Sequence, residues 1–442
     1  MQELDLAAKI LDDIIDEGTP FGEALRKVFQ PNQELRPLRA TVSGLVGCEL
    51  RHHLMFEYIM EADEYKDWEM PAKRLAYLSL ADLYYFKRIS PEDIKAHLAQ
   101  AIGEEKVAAL EPLFAKAGNP KEYLPELPRD LQLSLRFNVP EWVLKVWRHF
   151  GNGKMYNIAK ANSRPAKFYV RVRTSMISAE AILSSGEDFE KTPVEDVLLY
   201  KGKTPLRKVE LYRKGMIFDI KPATKLISDT FKIEDPKQGL LYLSARDHSM
   251  IEEWIETYGP RVAMNIGVKD VSKYPDVTRL IKAENLKNVN FFGAEPDAME
   301  AAISKPQDLV FCVPASSSFD NIRETPDFLL HFSTEELDQA YDEQKKALEG
   351  CSKYVAEGGT LVYIIYTISR KEGHNTVKAF LENHPEFQLV EEKQGFPFEE
   401  LDTSYYYCAM KKDSSLAKAE PPLIDPAMIP SEEAPQAQAE GK

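Results

Sequence analysis

Residues 240–243, LLYL, and residues 262–266, VAMNI, are two short apolar runs separated by a helix-length stretch, and this pair decides the fold. The pattern repeats downstream, with VNFF at 289–292, LVFC at 309–312 and TLVYII at 360–365. Helical stretches such as Glu335 to Tyr354 and Thr376 to Asn383 lie between the runs. Alternation of this kind specifies a mostly parallel, doubly wound α/β sheet with helices on both faces. Further strands near Phe387–Glu391 and Ser404–Met410 are expected to close it.

Upstream the periodicity changes. From Leu131 to about Pro222, a helix carrying Trp142 and Trp147 leads into Lys167-Phe168-Tyr169-Val170-Arg171-Val172-Arg173. That alternation reads as a strand with one apolar and one basic-aromatic face. Residues 1 to about 130 read as all helix, with Leu75, Leu78, Leu80, Leu83 and Tyr84 at helical spacing and more apolar positions from Ile94 to Leu113. Ser90-Pro91-Glu92-Asp93 marks a helix start, with Ser as N-cap and Pro in the first turn. Prolines at 120, 125 and 128 punctuate the boundary that follows. The last 30 residues, rich in Pro, Ala and Glu, are expected to be a disordered acidic tail. The expected organisation is multidomain: an all-α domain (1–130), a small basic α/β module (131–222), a doubly wound domain (223–412) and the tail (413–442).

Composition narrows the class. A chain with 44% hydrophobic and 29% charged residues is globular. Its longest apolar run, around Thr360 to Tyr366, is too short to span a bilayer. The acidic, amphipathic N-terminus lacks the basic start and apolar run of a secretion signal, so a cytoplasmic location is expected. Cys48, Cys312, Cys351 and Cys408 are scattered without metal-type spacing and read as reduced, buried thiols. His52 and His53 are expected at the surface of the helical domain. Net charge is −15, yet residues 131–221 hold 17 Lys and Arg against 9 Asp and Glu. That local +8 leaves −23 elsewhere. A basic block in an acidic chain is the footprint of a phosphate-contacting surface; a solvated lysine-rich face would give the same count.

An ordered set of segments resembles the RsmB/NOP-type rRNA cytosine-C5 methyltransferases over roughly residues 35–411. Val46 to His53 and Arg74-Leu75-Ala76-Tyr77-Leu78 resemble two helices of that family's NusB-like RNA-binding domain. Pro140-Glu141-Trp142-Val143 is similar to its PEWL segment, and Ala161-Asn162-Ser163-Arg164-Pro165 with Tyr169 to Thr174 to its ANxRPPLxLRVNT stretch. Phe311 to Ser316 sits where the family has LDAPCS. Gly358 to Tyr363 and Thr367-Ile368-Ser369 match GGxLVY and TCS with two extra residues between them, and Asn375 keeps the spacing of a trailing Asn.

The resemblance implies a class I methyltransferase domain, S-adenosylmethionine as donor and RNA as substrate, but the chemistry-bearing positions are replaced. C5 methylation needs a thiolate to attack C6 of the base. The nucleophile's position is Ile368, the second thiol's is Ala315, and the catalytic Asp aligns with Cys312. In the cofactor motif VLDLCAAPGGKT the acid becomes Tyr242 and both glycines become His248 and Ser249, where side chains obstruct close backbone approach. The ribose-binding acid at the end of the second strand aligns with Asn265, and Glu295 alone stays acidic, near the adenine-contacting position. Cys312 as a relocated nucleophile competes with a plain core role. His248 could meet an anion at the following helix N-terminus or be an ordinary loop residue.

The retained features are cationic and aromatic: Arg164, Lys167, Phe168, Tyr169, Arg171 and Arg173. Cations for phosphate and rings for stacking suit RNA; an ordinary amphipathic strand is the competing reading. The sequence therefore points to a catalytically inactive relative that binds rRNA, or tRNA, with no cofactor, DNA or membrane expected and any protein partner unknown. Two alternatives remain: an active S-adenosylmethionine-dependent RNA methyltransferase with relocated residues, and a protein-interaction scaffold.

Overall fold

The computed structural model describes residues 2–116, 127–186, 188–231, 238–244, 248–259 and 262–416. The expected acidic tail beyond residue 416, the prolines at 120 and 125, and residues 245–247 of the altered cofactor loop lie outside the described residues.

The N-terminal third is helical from Gln2–Ile15 through Glu104–Phe114, and its apolar faces share one core that includes Leu4, Ile10, Phe29, Val46, Phe56 and Leu78. The helix Pro91–Ile102 starts as the sequence predicts: Ser90 Oγ accepts from the Asp93 N–H at 3.1 Å and Pro91 opens the first turn. Buried Arg74 ties two helices together through Asp16 (2.9 Å) and Asp12 (3.3 Å). The expectation of surface histidines is overturned. His53 is buried, and its Nδ1 lies 2.6 Å from Glu49 Oε1. Burial disfavours its charge, but the Glu49 carboxylate outweighs this and holds the imidazole above its ordinary value. His52 stacks on Tyr85, with ring centroids 3.7 Å apart.

The middle segment divides between two cores. Its helices Arg129–Phe137, Glu141–Arg148 and Asn152–Asn162 pack Val143, Trp147 and Ile158 against Phe319, Ile368 and Phe396 from the C-terminal domain. Its strands β1 (Phe168–Val172), β2 (Phe189–Lys191), β3 (Val197–Tyr200) and β4 (Ile217–Asp219) form a separate antiparallel sheet of order β2-β3-β1-β4.

The C-terminal domain holds β5 (Gln238–Leu243), β6 (Ala263–Val268), β7 (Val289–Gly293), β8 (Gln307–Val313), β9 (Val355–Ile365), β10 (Phe387–Gly395) and β11 (Tyr405–Lys412). Their order is β10-β11-β9-β8-β5-β6-β7, and β11 alone runs against its neighbours. The period-2 rule of strands appears directly: Leu241 and Leu243 face one core, Leu240 and Tyr242 the other, and Phe311 and Cys312 divide likewise. The order reverses between β5 and β8, so the ligand crevice of such a sheet belongs at the carboxyl ends of those two strands. No helix among the described residues is long and apolar enough to cross a membrane.

Candidate nucleic-acid interface

At the switch point the crevice is bridged by hydrogen bonds. The Ser244 N–H donates to Val313 O at 3.1 Å, and the Ala315 N–H donates to Ser244 Oγ at 2.9 Å. Tyr242, at the family's acidic position, points into the core, where burial pushes its phenol well above the ordinary range and its hydroxyl has no hydrogen-bond partner. Asn265 is not at the end of the second strand. It pairs in register with Leu240 in the first half of β6, donates to Gln307 Oε1 and accepts from Asn290 Nδ2, both at 3.0 Å. Lys269 and Asp270 stand just past the strand's end instead. The Asp270 carboxylate accepts from the N–H (3.0 Å) and hydroxyl (2.6 Å) of Ser272, a capping role that the alignment misses. Glu295 lies 3.4 Å from Lys346. His248 and Ser249 begin the helix His248–Tyr258, where the exposed His248 ring approaches Tyr274 at 4.7 Å.

The methyl-transfer positions are equally committed. Ile368 is fully buried in the cluster with Trp147, Phe319 and Phe396. Cys312 is fully buried, and burial, then neighbouring Cys351, raise its thiol far above the ordinary range, which opposes thiolate formation. Between them a polar network fills the interior. Glu372 accepts from the Ser317 N–H (2.7 Å), the Ser317 hydroxyl (2.6 Å) and Gln344 Nε2 (2.9 Å), and the Ser317 and Thr367 hydroxyls lie 2.5 Å apart. Burial raises the Glu372 carboxyl, and the bonds from Ser317 offset part of that rise. Thr367 and Ser369, which flank Ile368, are thus inward-facing scaffold. Among the described residues no group of His, Cys, Asp and Glu is arranged to hold a metal ion.

The basic strand divides in two. Arg171 and Arg173 are 4% and 5% exposed and are taken up by carboxylates, so the expected RNA-facing role of these two residues is corrected. Arg171 Nε lies 3.0 Å from fully buried Glu253, with Asp196 at 3.5 Å from its Nη1. Arg173 reaches Glu252 (2.5 Å), Glu256 (3.8 Å) and Glu284 (3.9 Å), and sits over the Phe218 ring. Desolvation of a guanidinium is offset only by such pairing, and the acidic face of the helix His248–Tyr258 supplies it. Burial raises the Glu252 carboxyl to about 6, against the opposing pull of Arg173.

The remaining candidates stay outward. Arg164 and Lys167 are exposed, Phe168 is 60% exposed, and Tyr169 is half-buried. Arg323 pins the backbone beneath them, donating to Pro165 O at 2.8 Å while its Nη1 pairs with Asp402 at 2.8 Å. Beside Phe168 a cleft of about 650 Å3 runs between the small sheet and the start of the helix His248–Tyr258, so it also brings in His248 and Ser249. Its walls add Lys203, Arg207 and Lys221, which the sequence signals only through the basic count of the block, and Tyr200 and Tyr212, which it does not signal. Lys203 and Arg207 are exposed and make no ion pair with a described carboxylate.

A seven-stranded sheet in this order, with one antiparallel strand and a switch point between its central strands, defines a Rossmann-like class I methyltransferase fold. No family model matches the chain. It is similar to the ribosomal RNA small subunit methyltransferase B of Vibrio vulnificus, 23% identical over 433 residues and 92% of this chain and 99% of that one. It is 22% identical to the protein of the same name from Thermus thermophilus over 285 residues, which span 61% of each chain. The crystal structure of PH0851 matches 93% of this chain and 99% of its own with a TM-score of 0.71 at 15% identity. These relatives make the chain similar to the RsmB/NOP-type RNA methyltransferases, at 22–26% identity.

Proposed function

We propose that this chain binds RNA, ribosomal RNA first and transfer RNA second, without methylating it. The observation that carries the reading is Ile368: the family's nucleophile position is an alkyl side chain sealed among Trp147, Phe319 and Phe396. The residues at the strand ends do not fit S-adenosylmethionine either. The Ser244 hydroxyl is engaged by the Ala315 N–H, Tyr242 lies in the core, and side chains replace both glycines at His248 and Ser249. Arg164, Lys167, Phe168 and Tyr169 remain as an exposed or half-buried cationic and aromatic strip, supported by the names of the relatives, all of them rRNA methyltransferases. On this reading the protein works in the cytoplasm, with residues 1–130, 131–222 and 223–412 as its units and the first as a NusB-like contributor to RNA binding.

The test is filter binding of the full chain to structured rRNA fragments across a salt series. Log affinity should fall linearly with log salt as phosphates are neutralised. Absence of binding at low salt removes the reading. The relatives' names favour one competitor, an active methyltransferase, and Cys312 is the nucleophile it would have to use. Formation of 5-methylcytosine in bound RNA, abolished by Cys312→Ala, would establish that alternative.

A further inference from the structure

Asn162 ends the helix Asn152–Asn162, is 6% exposed, and neither Nδ2 nor Oδ1 has a hydrogen-bond partner among the described residues. Ser404, buried just before β11, likewise has a hydroxyl without a partner among the described residues. Both line one cavity of about 50 Å3, together with Arg323 and Asp402. Buried polar groups are nearly always satisfied, so an amide with both faces idle next to a cavity needs an explanation. The cavity adjoins the cleft beside Phe168: Lys167, Tyr169, Ile220, Lys221 and Glu324 line both.

We propose that cavity and cleft form one site for a single unstacked nucleotide of single-stranded RNA. The base lies on the Phe168 ring, its polar edge meets the Asn162 amide and Ser404 hydroxyl, and its phosphate sits among Lys167, Lys203 and Arg207. This rests on the RNA-binding reading above and adds the form of RNA that is held. Size supports it. The cleft falls in the range of pockets that enclose small ligands. The cavity has room for a water-sized or exocyclic group but not for a ring system. Chemistry supports it too. An amide offers a donor beside an acceptor, and every base presents the complementary pair on its Watson–Crick edge, which is free only when the base is unpaired. Duplex RNA keeps its edges paired and its rings stacked, so it can reach the surface cations but neither Phe168 nor Asn162. Preference for single strands should therefore be strong and preference among bases weak.

The experiment is fluorescence anisotropy of the full chain with a short labelled single-stranded RNA and with the same strand annealed to its complement. The single strand should bind more tightly. Phe168→Ala should weaken it about ten-fold and leave the duplex unchanged. Asn162→Ala and Ser404→Ala should weaken the single strand several-fold without lowering the melting temperature, since the groups removed have no partner to lose. Arg164→Ala should weaken both RNAs. If neither RNA binds, the underlying RNA reading fails and this site with it. If both bind, Arg164→Ala weakens both, and the Phe168, Asn162 and Ser404 variants change nothing, RNA binding stands and the nucleotide site is overturned. Saturable binding of cytidine monophosphate, with no RNA binding, overturns it in favour of a free nucleotide.

Discussion

Glu372 anchors a buried polar network that reaches Thr367, the neighbour of Ile368. Its carboxyl is fully buried and held by Ser317 and Gln344 through hydrogen bonds rather than by a cation. Burial raises its titration above the ordinary 4.5, so the native state holds that proton more tightly than the unfolded chain does. Its contribution to stability is therefore complete below about pH 4.5 and is lost as pH climbs through the raised value. A glutamine can replace the protonated acid, with Oε1 still accepting from the Ser317 N–H and Nε2 donating to the Ser317 hydroxyl. Glu372→Gln should thus reduce the fall in the urea midpoint as pH rises above about 4.5, relative to the parent. Parallel pH profiles for parent and variant would show that the carboxyl titrates normally and that water enters the network.

At the scale of elements, the contact between β1 and the helix His248–Tyr258 turns a sequence-level binding motif into a clamp. Arg171→Ala strands fully buried Glu253 without its cation, and a loss of about 3–5 kcal/mol is expected in chemical denaturation. Arg164→Ala, on exposed backbone, should change stability by less than about 0.5 kcal/mol. Equal effects from the two would contradict the division of the basic strand. Ser90→Ala should cost about 1 kcal/mol by removing the cap on the Asp93 N–H. The strands of the large sheet, β1 and that cap are legible in the sequence, because apolar runs and turn chemistry are local; the short strands β2, β3 and β4 carry no such run and are not. The fate of Arg171 and Arg173 is not: an alternating strand shows which residues share a face, not whether that face meets water or an acidic helix 80 residues away. Glu252, Glu253 and Glu256 read in isolation as a solvated helical face. Asn265 misleads for a related reason, since aligning residues does not locate a strand's end, and here the end falls at Val268. His53 escapes because its buried partner Glu49 lies across the turn at residues 51–52, at the end of the preceding helix Arg39–Leu50.

For the whole molecule, the replacements are coupled, and this makes restoring the family's chemistry by its two thiols a sharp test. The helices Glu141–Arg148 and Asn152–Asn162 dock on the C-terminal domain through the same cluster that seals Ile368. Position 368 is therefore enclosed by interdomain packing as well as occupied by an alkyl side chain. Ile368→Cys in combination with Ala315→Cys should lose about 1–3 kcal/mol of stability, because a shorter side chain leaves a void among Trp147, Phe319 and Phe396. It should transfer no methyl group from S-adenosylmethionine to RNA, because the new thiol at 368 faces hydrophobic side chains and His248 and Ser249 still stand at the two glycine positions. Radiolabelled methyl incorporation into rRNA fragments measures this directly. Label appearing in cytosine on the double variant alone would mean that the crevice opens in solution and that inactivity depends on two side chains. No label, with folding shown by a cooperative melt, would mean that the fold now uses its former catalytic face to hold the helices against the sheet, with the strip from Arg164 to Tyr169 carried at the edge of that contact.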